Sequence, residues 1–309
     1  LKEKHPAGIT SIRAAGMGNW GDAGEAHWCH DGMITRAINS YMSVCPPLCK
    51  RVEDNKIEGY MFPLGPIMQL FHEIGRGMPG MLSKIGLGTF MDARNGGGKL
   101  NQLTAEQGED LVKYIPDFEG EDYLWYTLPK LNVALLRASS ADPHGNISID
   151  KEAEEIEVLS VAQAVKSSGG IVICQVDELV ELHTVNPHMI KVPGIYIDYI
   201  VVAQNREAIP QNMARTKGAT YEPAFTGEVL KEVKTEVASV PLNERKVIAR
   251  RAALELGPGY NVNMGLGMPT TIPMILAEAG VDDKITMISE TGTIGGVPGT
   301  ERLDFGCHW

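Results

Sequence analysis

Ile285-Thr286-Met287-Ile288-Ser289-Glu290-Thr291-Gly292-Thr293-Ile294-Gly295-Gly296-Val297-Pro298-Gly299 is the stretch on which the reading turns. A short apolar run ends in one carboxylate, and a glycine-rich loop follows at once. Four glycines and one proline in the last eight residues cannot continue a helix or a central strand. Glu290 therefore belongs at a strand end, where backbone can approach a ligand closely and α/β scaffolds usually carry their reactive groups. Taken alone, a glutamate beside glycines is more often a solvated turn residue, so other segments must decide.

The segment before it has its own pattern. Asn243 is a good N-cap for a helix over Lys246–Leu256, closed by Gly257-Pro258-Gly259. A strand, Tyr260–Met264, runs into Gly265-Leu266-Gly267-Met268-Pro269, and a helix over Ile272–Ala279 follows. Strand, glycine loop and helix N-terminus together offer backbone N–H groups and a favourable dipole to an anion. The same local pattern fits a tight βα turn with no ligand.

Upstream, strand and helix patterns alternate, which argues for an α/β fold. Strands are expected at Gly8–Ile12, Gly59–Leu64, Tyr123–Tyr126, Asn132–Ala138 and Ile195–Ala203. Ile171–Val176 reads as a parallel strand covered on both faces. Ile67–Gly75 and Glu152–Val165 have helical spacing. Ala26–Ile38 reads as a loop entering a helix, and Thr104 caps a helical run that Pro116 stops. Ser83–Asp92 reads as a strand carrying Gly86-x-Gly88, with a second glycine cluster at Gly96–Gly98. A lone G-x-G lacks the third glycine of a dinucleotide fingerprint. Arg94 and Lys99 flank that cluster, either as ligands for phosphate or carboxylate or as solvated loop charges. Residues 204–243 are polar and broken, and read as a linker between a first domain, 1–203, and the start of a second, 244–309.

Composition narrows the class. The 309 residues are 43% hydrophobic and 22% charged, with 34 glycines, 14 methionines and few aromatics, which suits an α/β protein with many tight turns. The net charge of −11 and the lack of a basic run argue against nucleic acid and anionic membrane as partners. The five cysteines, with Cys174 inside an apolar run, read as free thiols in a reducing cytoplasm. Cys45-Pro-Pro-Leu-Cys49 and the His27/His30 pair have metal-like spacing, but neither finds further ligands, so no metal is expected. Apolar runs fall far short of the roughly 20 residues that a membrane helix needs.

Six segments occur in a telling order: Asp142-Pro143-His144-Gly145-Asn146, Ser168-Gly169-Gly170-Ile171-Val172, Lys191 to Asp198, Arg250 to Glu255, Gly265 to Pro269, and Ser289-Glu290-Thr291-Gly292. With them the chain resembles a family I coenzyme A transferase. Gly86-Leu87-Gly88-Thr89-Phe90 through Lys99 fits the single-chain propionate/acetate type within that family. The resemblance implies an α/β fold of two open, mainly parallel-sheet domains, the second one truncated, in a homo-oligomer with no permanently bound cofactor. It also implies further chain at both ends, since this one opens at Leu1 and stops at Trp309 soon after the loop.

The resemblance makes Glu290 the catalytic nucleophile, and sets Gly265, Leu266, Gly267, Met268 and Pro269 against coenzyme A as co-substrate. Gly292, Gly295, Gly296, Gly86 and Gly88 are then candidates to support an oxyanion through backbone N–H groups. The implied reaction passes coenzyme A between short-chain acyl-CoA and carboxylic acids. Two alternatives stay open: an acyl-CoA hydrolase on the same fold, and a non-catalytic sugar-phosphate- or nucleotide-sensing module.

Overall fold

The computed structural model describes residues 6–153, 157–204, 221, 223–226, 228, 239–265, 267–289, 294 and 295. The chain forms two compact units, one of Leu1–Ile149 with Glu157–Ala203 and one of Asp150–Ile156 with Gln204–Trp309. Most of the 204–243 segment lies outside the described residues.

The first unit opens with a three-stranded parallel sheet: β1 Ile9–Arg13, β2 Ile34–Asn39 and β3 Glu58–Met61, in that order. Helix α1, Pro46–Glu53, crosses from β2 to β3 and buries Leu48 and Val52 against the sheet. Its approach requires a glycine in β3: a Cβ on Gly59 would lie 2.5 Å from Val52 Cγ1. Pro63 then leads into α2, Leu64–Gly75, whose inner stripe is Ile67, Leu70 and Phe71.

The segment expected to enter a helix before Ile38 is instead β2. Ile34, Ala37 and Ile38 have helical spacing, but β2 lies between two partners and is buried on both faces, so it shows no alternation.

A small antiparallel sheet follows, with β4 Met81–Ser83, β5 Val112–Phe118 and β6 Glu121–Tyr126 in the order β4-β6-β5. Two expectations are corrected here. The strand ends at Ser83, and Gly86 and Gly88 turn the chain with φ of 96° and 74°. The run expected as one helix is a short helix, α3 Gln102–Gln107, followed by strand β5. Asn101, not Thr104, caps α3, and the Thr104 hydroxyl accepts the Gly59 N–H at 2.7 Å. Pro116 sits in an edge strand where the register slips between Ile115 and Phe118, a place that tolerates a missing N–H.

The largest sheet holds β7 Val133–Ala141, β8 Ile147–Ser148, β9 Ile171–Leu179, β10 Ile190–Val192 and β11 Tyr199–Val202. Its order is β10-β8-β7-β9-β11, with β7, β9 and β11 parallel. Helix α4 is Val158–Ser167, shorter than the expected Glu152 start, and packs on β7, β9 and α2. Among the described residues β9 is fully covered on one face only: Val172, Cys174 and Val176 are buried, while Ile171 is 40% exposed. The three sheets of this unit share one core, from Ile38 and Tyr60 through Leu124 and Tyr126 to Val172 and Val176.

The second unit is α5 Glu244–Ala253, β12 Asn261–Met264, α6 Thr271–Glu278 and β13 Thr286–Ser289. β12 and β13 pair in parallel across α6, around Met264, Leu276, Ile285 and Met287. Asn243 caps α5 as expected, accepting the Lys246 N–H at 3.0 Å. No helix among the described residues is long and apolar enough to cross a membrane.

Candidate active site

Strand register organises the second unit. Met264 pairs with Ser289, the last residues of β12 and β13. Gly265 follows one strand, and Glu290, next in sequence after the other, lies outside the described residues with Leu266, Gly292 and Gly296. The chain is back at the strand by Ile294, which bridges Ile288, and the Gly295 N–H donates to Met287 O at 2.8 Å. So β13 is tied down immediately on both sides of the Glu290 stretch.

The Gly265–Pro269 loop enters α6. Gly267 has a left-handed φ of 93°. Its carbonyl accepts two donors: Thr270 Oγ1 at 2.7 Å and an Arg245 guanidinium N–H at 3.0 Å. In a trans peptide the C=O and the following N–H point in opposite directions. Fixing the Gly267 carbonyl thus fixes the Met268 N–H on the other side of that peptide. Arg245 was not legible as part of the loop: it stands on α5, a helix away, and nothing in its local sequence announces the contact.

At the far end of α6 from the loop, an ion pair joins α5 to α6. Lys246 Nζ lies 2.9 Å from the Glu278 carboxylate and donates to Val240 O at 2.6 Å. Glu278 also accepts the Val240 N–H. Its hydrogen bond from Lys246, and then that amide, hold the Glu278 carboxyl below its ordinary range.

Gly86 and Gly88 stand in the first unit, and packing accounts for one of them. A Cβ on Gly86 would lie 2.5 Å from the Tyr126 hydroxyl, which donates to Ile85 O at 2.6 Å. The Gly88 N–H donates to the buried Asp92 carboxylate at 2.9 Å. Asp92 also takes the Arg94 N–H at 3.0 Å and the Arg94 guanidinium at 2.9 and 2.6 Å. Those Arg94 bonds first, with the Gly88 amide, hold Asp92 well below the usual carboxylate range. Arg94 lies 3.8 Å from the centre of the Tyr114 ring, and Lys99 binds Gly108 O and Asp110. Both cations flanking the glycine cluster therefore have partners within the unit. Among the described residues no group of three or more His, Cys, Asp or Glu side chains could hold a metal ion.

The geometry is that of a glycine-bearing βα loop after β12, with β12 paired to the strand that Glu290 follows in sequence. Comparison with known proteins defines the class. The model of the coenzyme A transferase family matches residues 16–203, and the chain belongs to that family. It is 42% identical over 294 residues to the caffeate CoA-transferase of Acetobacterium woodii, covering 95% of this chain and 54% of that protein. The acetate CoA-transferase YdiF of Escherichia coli strain K12 is 32% identical over 303 residues, 98% of this chain and 55% of its own. The crystal structure of the YdiF apoenzyme from Escherichia coli O157:H7 superposes with a TM-score of 0.81 at 31% identity, over 96% of this chain and 54% of that one. The same enzyme solved as a thioester complex with CoA gives a TM-score of 0.82. The chain spans about half the length of the curated relatives it matches.

Proposed function

We propose that the full-length protein transfers coenzyme A between short-chain acyl-CoA and small carboxylic acids, with Glu290 as nucleophile. The observation that carries this reading is the Met264–Ser289 register, which ends β12 and β13 side by side, each just before one of the two motifs in sequence. The likeness to a CoA-transferase solved as a thioester complex with CoA supports the covalent route.

Exchanging coenzyme A between two acids requires opening a thioester without losing its energy to water. A carboxylate does this through an anhydride of comparable reactivity. The Glu290 carboxylate attacks the acyl-CoA carbonyl and expels CoA thiolate, leaving an acyl-glutamyl anhydride. The thiolate attacks the glutamyl carbonyl and releases the free acid, leaving a glutamyl-CoA thioester. An acceptor acid then runs both steps in reverse, so the kinetics are ping-pong.

Each tetrahedral step puts charge on an oxygen, and an aimed N–H is worth about 3 kcal/mol there. We assign that role to the Gly265–Pro269 loop, with Gly292 and Gly296 as further donors; of the other expected donors, the Gly295 and Gly88 amides are already bound to Met287 O and to Asp92. In this reading 1–203 is that domain, 204–243 its linker and 244–309 the start of the catalytic domain. The enzyme works in the cytoplasm as a homo-oligomer without a resident cofactor.

The test uses the full-length protein. Incubation with propionyl-CoA followed by borohydride reduction should modify one peptide, at Glu290, and Glu290→Ala should abolish both the label and transfer. Acetate, propionate, butyrate, acetoacetate and caffeate, offered as acceptors, define the substrate class. Release of free CoA without transfer would make the protein a hydrolase, and an active, unlabelled Glu290→Ala would sink the mechanism.

A further inference from the structure

Arg245 stands where the helix that carries it has no use for it. It is the second residue of α5, in the turn that follows the Asn243 cap. A cation there opposes the helix dipole, which favours positive charge at the C-terminal end. Its neighbour Lys246 has the same handicap and a reason for it, the ion pair with Glu278 at the end of α6. Arg245 reaches the loop at the other end of α6: its guanidinium donates to Gly267 O at 3.0 Å. Thr270 donates to the same oxygen at 2.7 Å from within the loop. Two consecutive residues of α5 thus tie down what precedes α6 and what ends it.

We propose that Arg245 is a positioning residue for the transfer reaction, holding and polarising the Gly267–Met268 peptide so that the Met268 N–H stabilises the oxyanion. The proposal rests on the function proposed above and deepens it. When the Glu290 carboxylate attacks the thioester carbonyl, the carbonyl electron pair moves onto its oxygen. When the adduct collapses, that pair re-forms the carbonyl and CoA thiolate leaves. The oxygen of the glutamyl carbonyl charges and discharges in the same way in the second step. An N–H lowers these barriers when it is aimed at the oxygen before the charge develops.

The contacts around that peptide suit the role. Gly267 takes a left-handed φ of 93°, a conformation that sets the direction of the peptide after it. Among the described residues the Met268 N–H has no backbone acceptor, so it is available to a ligand.

The two donors on the Gly267 carbonyl do different work. Thr270 is neutral and local, and fixes direction. Arg245 adds a charge-assisted hydrogen bond, about twice as strong as a neutral one, and ties the loop to a second helix. A positive donor on the carbonyl draws density through the delocalised peptide, which leaves the N–H on its other side more positive. The side chain therefore acts on the reaction through the backbone, without touching the substrate.

The test uses full-length Arg245→Ala, Arg245→Lys and Arg245→Gln with propionyl-CoA and acetate, alongside thermal melts. Arg245→Ala should lower kcat by about 100-fold, as misplacing a group in an active site by about 1 Å does. KM for propionyl-CoA should stay at the parent's value, because the interaction is made only in the transition state. Arg245→Lys, which keeps a charged donor, should recover part of the loss, and neutral Arg245→Gln should stay near Arg245→Ala. A low concentration of guanidinium ion should speed Arg245→Ala and leave the parent unchanged, which no purely structural role predicts. Parent-level kcat in Arg245→Ala overturns the inference. So does a raised KM at unchanged kcat, which would make Arg245 a contact that binds coenzyme A. Equal losses in the alanine and lysine variants with a lower melting point, and no response to guanidinium, overturn it as well. Borohydride labelling of Glu290 in the parent tests the underlying function separately: an unlabelled parent overturns both, and a labelled parent with a fully active Arg245→Ala overturns the role of Arg245 only.

Discussion

Gly265 and Gly267 look interchangeable in the sequence, and one methyl group separates them. Among the described residues neither has a heavy atom within 4 Å of where a Cβ would sit, so alanine meets no described neighbour at either position. Only Gly267 has a left-handed φ, 93°, and an L-residue held in left-handed backbone costs about 1–2 kcal/mol. Gly265→Ala should stay within about 0.5 kcal/mol of the parent, as a substitution away from any special feature does.

The strain in Gly267→Ala must appear in one of two places. If Arg245 and Thr270 hold the carbonyl where it is, the second unit loses that much stability. If the loop relaxes, the Gly267–Met268 peptide turns and the Met268 N–H, which the proposed function aims at coenzyme A, is displaced. A change of 1–2 kcal/mol is a factor of roughly 5–30 in an equilibrium constant. Calorimetric titration of coenzyme A into each full-length variant, with thermal melts alongside, reads both. Gly267→Ala should show the weaker binding or the lower melting point, and Gly265→Ala neither. Equal losses in the two variants would refute the assignment, because access of the ligand rather than backbone hand would then govern the loop.

Three further substitutions test the scaffold. Asn243→Ala removes the 3.0 Å cap on the Lys246 N–H and should cost about 1 kcal/mol in denaturant melts; an unchanged midpoint refutes the cap. Gly59→Ala places a Cβ 2.5 Å from Val52 Cγ1 and should cost about 1–3 kcal/mol, partly recovered in a double variant with Val52→Ala. Asp92 has a folded-state pKa below its unfolded value, so its contribution is present above the unfolded pKa of about 4 and fades as pH falls through the folded one. Melting temperature of the first unit should therefore drop on acidification below about pH 4, and Asp92→Asn, less stable at neutral pH, should flatten that dependence.

Elements whose own residues carry the signal were legible in the sequence. α2 has its apolar stripe, β7 its apolar run, and α5 its Asn243 cap. β2 was not, because what makes it a strand is pairing with Ile9–Arg13 and Glu58–Met61, each some twenty or more residues away. Its apolar residues, hidden on both faces, imitate a helix. The break between α3 and β5 turns on Gly108, whose extended backbone at ψ 146° ends the helix. Composition there, rich in Glu, Gln and Leu, is as good for a helix as for what forms. In the second unit both glycine loops were visible as motifs, whereas Arg245 reaching Gly267 is a tertiary contact with no local signature.

The neighbourhood of the two motifs follows from packing rather than from any attraction between them. In a strand, side chains alternate faces, so Val262 and Met264 of β12 and Met287 of β13 reach the core together only in one register. A slip of one residue would expose Met264 or Met287, each now 4% exposed or less, and forfeit about 1.5–3 kcal/mol per side chain. Backbone bonds fix the same register outside the strands. Gly259 N–H donates to Lys284 O at 2.7 Å, Thr286 N–H to Tyr260 O at 2.9 Å, and Gly295 N–H to Met287 O at 2.8 Å. With Met264 opposite Ser289, the next residues in sequence are Gly265 and Glu290. The residues that precede the glycine loop and Glu290 in sequence are thus held side by side by a hydrophobic core, which leaves the residues after them free to be chosen for chemistry.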